Sequence, residues 1–109
     1  MIIDYNTMKE EVIPNFKGGE GEMVTRMFND ELNKIMVSRL GPGSSIGIHT
    51  HDAGSEIIFI LEGTGRAVFD GADETVTPGM CHYCPKGHSH GLFNDGDEDL
   101  VFFAVVPAQ

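Results

Sequence analysis

Positive charge is scarce in this chain. Seven Lys and Arg stand against seventeen Asp and Glu, a formal net charge of −10 over 109 residues, and no Lys/Arg cluster offsets the imbalance. Nucleic acids and anionic membrane surfaces are bound through positive charge, so neither is an expected partner. Long apolar runs are missing too. Nothing approaches the roughly eighteen residues of a membrane-spanning helix, and Met1-Ile2-Ile3-Asp4-Tyr5 lacks the basic flank and long apolar stretch of a secretory signal. The expectation is a cytoplasmic protein. Cysteine is limited to Cys81 and Cys84. A C-x-x-C pair raises zinc or redox chemistry, but residues three apart on a strand point to opposite faces. The two thiols are therefore expected to act separately, as small apolar side chains. Two further motifs are absent. The glycines of Phe16-Lys-Gly-Gly-Glu-Gly21 are not followed by the Lys-Ser or Lys-Thr of a phosphate loop. Asp95, Asp97, Glu98 and Asp99 lack the spacing and flanking helices of a calcium-binding EF-hand, and read as a solvated loop tip that opposes edge association.

What is present is a series of short apolar runs separated by turn residues, the signature of an all-β sandwich or barrel. The runs are Lys34–Leu40, stopped by Gly41-Pro42-Gly43; Ser45–His51; Glu56–Leu61, closed by Glu62-Gly63-Thr64-Gly65; Arg66–Phe69; Glu74–Thr77; Met80–Cys84; His90–Phe93; and Leu100–Val106, ended by Pro107. Asp70-Gly71 is a tight-hairpin dipeptide. Glu56-Ile-Ile-Phe-Ile-Leu61 is apolar at both parities, which predicts a strand covered on both sides, the second cover being the partner of a homodimer. Before Asn33 the pattern is weaker. Thr7-Met-Lys-Glu10 fits a capping box for a short helix that Pro14 would end, Phe16–Gly21 reads as an irregular connection, and Met23–Phe28 fits an extra strand.

One segment carries chemistry. In Gly43-Ser-Ser-Ile-Gly-Ile-His49-Thr-His51-Asp-Ala-Gly-Ser-Glu56 two histidines lie two residues apart. On a strand they share a face with Cα atoms about 6.6 Å apart, so both imidazoles can reach one ion. Glu56 follows after a connection long enough to bring the next strand alongside. Three imidazoles, with His90 as the third, and one carboxylate suit Mn, Fe, Co, Ni, Cu or Zn, whereas Ca and Mg prefer oxygen shells. His82 and His88 lie nearby. His88 is expected on the surface, while His82 shares strand parity with Cys84, and Cys81 with Tyr83; the sequence does not say which pair faces inward.

These positions resemble the two motifs of the cupin superfamily. Gly43, His49, His51, Glu56 and Gly63 fill the first, G-x5-H-x-H-x3,4-E-x6-G, and Gly79, Pro85, Gly87, His90 and Asn94 fill the second, G-x5-P-x-G-x2-H-x3-N. All the fixed positions match, over about half the chain. The segment Met80–Cys84 is more polar than the usual cupin strand. The resemblance implies a single-domain double-stranded β-helix, the cupin jelly roll, with residues 33–107 as core barrel and 1–32 as an N-terminal extension packed on it. It implies His49, His51, Glu56 and His90 as metal ligands. An octahedral ion so held keeps two positions for a small ligand with neighbouring oxygens. The expected function is metal-dependent action on such a metabolite, of dioxygenase, isomerase or lyase type, with Tyr83 or His82 as candidates to move a proton. The alternative is a non-catalytic small-molecule-binding or sensor protein using the same site.

Overall fold

A computed structural model describes all 109 residues. Ten strands run through it: β1 Glu11–Pro14, β2 Glu22–Asn29, β3 Asn33–Leu40, β4 Ser45–Thr50, β5 Glu56–Glu62, β6 Gly65–Phe69, β7 Ala72–Val76, β8 Cys81–Cys84, β9 Ser89–Phe93 and β10 Leu100–Pro107. They form two antiparallel sheets, a six-stranded one in the order β1-β2-β3-β10-β5-β8 and a four-stranded one in the order β4-β9-β6-β7. The nearest sequence neighbours are often on opposite sheets, as in a jelly roll. The Asp70-Gly71 dipeptide joins β6 to β7 with φ of 46° and 83°, the left-handed pair that a two-residue hairpin turn demands.

Alternation puts one parity of each long strand inside. Met36, Ser38 and Leu40 of β3 line the inner face of the larger sheet beside Ile58 and Ile60 of β5 and Leu100, Phe102 and Ala104 of β10, and most of these are wholly buried. Ile46, Ala67, Val76 and Leu92 close the core from the smaller sheet. Ser38 is the polar exception on the inner face of β3, and it is satisfied by Thr25 of β2 at 2.7 Å.

Two regions bear on what the sequence suggests: the first departs from it, and the second is the face expected to meet a partner subunit. Thr7–Glu10 does not start a helix. A 3-10 turn spans Tyr5–Thr7 with Asp4 as its cap, and Met8 is already extended. Glu10 reaches across the sheet to Arg39 instead, at 2.8 and 3.2 Å, while Glu11–Pro14 pairs with β2. A charge partner 29 residues away and a sheet edge outweigh the local capping pattern. The second region is the outer face of β5, where Ile57, Phe59 and Leu61 are 38%, 41% and 42% exposed. No part of the chain covers them.

The loop Phe16–Gly18 lies against β4 at very close range. A Cβ on Gly47 would sit 2.1 Å from the Lys17 carbonyl oxygen, and one on Gly19 would sit 2.1 Å from the Ser45 oxygen. Only glycine permits this backbone-to-backbone contact. It fixes Lys17 at the end of the barrel where His49 and His51 emerge.

Candidate metal centre

His49 and His51 come from the end of β4, Glu56 opens β5, and His90 lies in β9 directly across from His49. Between Ile46 and His49 the β4–β9 register shifts. The two positions are three apart in sequence, which would place them on opposite faces in an unbroken strand. The bulge restores both to the interior, so one strand contributes Ile46 to the core and His49 to the site. Thr50 is exposed, and the chain continues to His51, whose backbone is held by His88 and Gly87 at 3.1 and 2.7 Å.

The four side chains meet. One donor atom from each lies within 4.8 Å of the others. His51 Nε2 is 3.1 Å from His49 Nε2, 2.9 Å from His90 Nε2 and 3.1 Å from Glu56 Oε1, and His90 Nε2 is 2.9 Å from the same oxygen. An imidazole nitrogen offers a single proton or a single lone pair, so no arrangement of protons satisfies three such contacts at His51 Nε2. A cation among them does. Ligands about 2.1 Å from one ion are about 3.0 Å apart at octahedral right angles and about 3.4 Å apart in a tetrahedron. These four separations match the octahedral right-angle spacing, and the donor set fits a divalent transition metal.

The second nitrogen orients the rings of His49 and His90. His49 Nδ1 donates to the Gly47 carbonyl at 2.7 Å, which leaves Nε2 as the free lone pair. Burial lowers the pKa of His49 from the ordinary histidine value and outweighs the opposing Gly47 bond, with the neighbouring His90 and His51 rings adding to the lowering. Burial alone would raise the Glu56 carboxyl, but hydrogen bonds from His51 and His90 outweigh it and hold the group at about 2. Glu56 and His90 are buried, whereas His49 and His51 are half-buried and open onto a cleft of about 350 Å³. Lys17 and Lys34 stand on that cleft with Asp30, Glu31 and Asp52. The sequence reading assigned the Lys17 loop no role, and no local pattern announces one.

The open question on β8 has an answer. His82 and Cys84 point inward, and Cys81 and Tyr83 outward. Tyr83 is 53% exposed and pairs with Ile57 on the outer face of the sheet. It lies on the opposite side of β8 from the cluster, which corrects its candidacy as a proton carrier. His82 is buried, with Nε2 3.0 Å from His90 Nδ1 and Nδ1 3.0 Å from Glu74 Oε1. Burial lowers its pKa against the opposing bond that it donates to Glu74. His88 is exposed, bonds Asp70 at 2.6 Å and stacks on Phe69. The two cysteines are free, Cys81 exposed and Cys84 buried. No helix is long and apolar enough to cross a membrane.

Comparison with known proteins gives the same picture. The chain is 34% identical over 112 residues to a Thermotoga maritima oxalate-binding protein, a match covering 97% of this chain and 93% of that one. A solved Thermotoga maritima structure described as a predicted oxalate decarboxylase superposes with a TM-score of 0.93 at 30% identity, over the whole of both chains. A Morus alba germin-like protein is 36% identical over 71 residues, 61% of this chain but only 34% of that protein. The family model described as "Cupin domain" matches residues 36–106, the stretch that supplies all four clustered side chains. The chain belongs to the cupin domain family.

Proposed function

We propose that this protein holds a divalent transition-metal ion through His49, His51, Glu56 and His90 and uses it to capture a small carboxylate of the oxalate type. The observation that carries this reading is the convergence of three imidazole nitrogens and one carboxylate oxygen at 2.9–3.1 Å, opening onto a cleft. Four protein ligands on a six-coordinate ion leave two positions, which suits a ligand with two neighbouring oxygens. The cleft carries three acidic residues against two lysines, so its rim does not attract a dianion. The attraction comes from the metal, whose charge dominates locally. The relative named as an oxalate-binding protein supports this choice of ligand.

Turnover of the same ligand is the second reading, favoured by the structure described as a predicted oxalate decarboxylase. The apolar outer face of β5 further supports a homodimer that buries Ile57, Phe59 and Leu61, and two unpaired thiols suit the reducing cytoplasm. Calorimetric titration of oxalate into untagged, Mn²⁺-loaded protein tests the function. Binding is expected to vanish in metal-stripped protein. Binding that survives stripping would overturn the reading, and loss of oxalate over time in the loaded sample would decide for turnover.

A further inference from the structure

His82 and Glu74 lie outside the ligand set, yet they connect it to the protein surface. Glu74 sits on β7, the edge of the four-stranded sheet, with its side chain 48% exposed. His82 projects inward from β8 of the other sheet and spans the gap between them, 3.0 Å from Glu74 on one side and 3.0 Å from His90 on the other. The His82 and His90 rings are within 11° of parallel, with centroids 5.2 Å apart. That separation is little more than one hydrogen bond plus two ring radii, so the rings meet edge to edge. This is the alignment an N–H···N bond requires. Phe69 closes the far side of His82, edge-on at 6.1 Å.

We propose that Glu74, acting through His82, orients His90 and pulls its proton toward Nδ1, so that Nε2 is the more readily given up to a metal. Both are positioning residues, and the inference rests on His90 being a metal ligand. The polarity of the chain follows from its outer end. A carboxylate only accepts hydrogen bonds, so the His82 nitrogen facing Glu74, Nδ1, carries the proton. His82 Nε2 is then an acceptor, and the His90 nitrogen facing it, Nδ1, is the donor. At the site end Glu56 Oε1, 2.9 Å from His90 Nε2, draws the same proton the other way, so the two carboxylates pull on the ring from opposite sides and Glu74 tips the balance toward a bare Nε2. The opposite polarity would aim a lone pair of His82 at the carboxylate and put a proton on the nitrogen that faces the site. Such outer partners typically change metal affinity about 10- to 100-fold. A surface side chain thus presets a buried one across both sheets.

The test reads tautomers directly. Two-bond ¹H–¹⁵N spectra of metal-free protein at about pH 7.5, above the ordinary histidine range, are expected to show His82 protonated at Nδ1 and His90 with a clear Nδ1-protonated population. Glu74→Ala, a change at an exposed position, is expected to shift His90 toward protonation at Nε2 and to weaken Co²⁺ binding about 10-fold. Glu74→Gln, whose amide oxygen still accepts, should recover most of that loss. A wild-type His90 protonated at Nε2 would overturn the proposal. So would Glu74→Ala with unchanged tautomers and Co²⁺ affinity within about twofold of wild type, well short of an outer-partner effect. If wild-type protein failed to bind Co²⁺, the metal assignment would fall instead, and the tautomers of the metal-free protein would still decide the role of Glu74.

Discussion

Removing His51 is the sharpest perturbation of the candidate centre, because its Nε2 alone touches the other three donors. A ligand that binds only the folded state stabilises it by RT ln(1 + [L]/Kd), about 2.7 kcal/mol at a hundredfold excess over Kd. For a domain near this size each kcal/mol raises Tm by roughly 4–8 °C, so wild-type protein in such an excess of Co²⁺ should gain about 10 °C or more. If His51→Ala weakens binding a hundredfold, the same Co²⁺ concentration stabilises by about 0.4 kcal/mol, a rise of only about 2 °C. The metal-free variant should melt within about 1 kcal/mol of wild type. Its lost side chain is 13% exposed at the mouth rather than deep in the core, and its removal relieves the crowding of nitrogens. Differential scanning fluorimetry of untagged protein with and without Co²⁺ measures both effects. A His51→Ala variant that keeps more than half of the wild-type rise would refute the reasoning. Such a result would assign the binding to groups elsewhere, for instance the acidic turn Asp95–Asp99.

Three further outcomes are expected. Phe59→Glu puts a charge in the middle of the uncovered apolar face of β5 and should convert a dimer to a monomer in light scattering; wild-type protein that is already monomeric contradicts the dimer. Burial pushes the Cys84 thiol up to about 11, so mass spectrometry after iodoacetamide at mildly alkaline pH should find at most one label per native chain, on Cys81, and two only after unfolding. His49 and His82 have lowered pKa values in the folded state, chiefly through burial, so below about pH 6.5 the unfolded chain binds more protons and metal-free stability falls with pH. A second decline follows from about pH 4.5 toward 2, as Glu56 is protonated. A urea midpoint that stays flat from about pH 7.5 to 5 would contradict the first of these declines.

The site was legible because it obeys short-range periodicity. His49 and His51 share a face by the two-residue repeat, and Glu56 follows a turn, so only His90 required the second motif to bring it in. The orientation of β8 was not legible, since Cys-His-Tyr-Cys carries polar groups at both parities. It is decided by pairing: Tyr83 lies opposite Ile57 on the outer face, and His82 opposite Ile58 on the inner one. The capping-box reading failed for a related reason, as the partner of Glu10 is Arg39 on β3. The bulge after Ile46 escaped the sequence altogether. Without it, counting residues by twos along β4 would send either Ile46 or His49 to solvent.

The seam between Gly47 and the Lys17–Gly19 segment separates two tasks that many proteins leave entangled. The segment is fastened to β4 through main-chain atoms and the Ser45 hydroxyl, with Ser45 N donating to the Glu20 oxygen and Glu20 N donating to Ser45 Oγ, each at 2.9 Å. None of these attachments uses the side chains of Lys17 or Glu20, while the Phe16 ring adds packing against the core. Lys17, which lines the cleft, can therefore be exchanged without breaking these contacts to the strand that carries His49. A family of variants differing only at Lys17 would share one metal centre and sort ligands by their charge at the door.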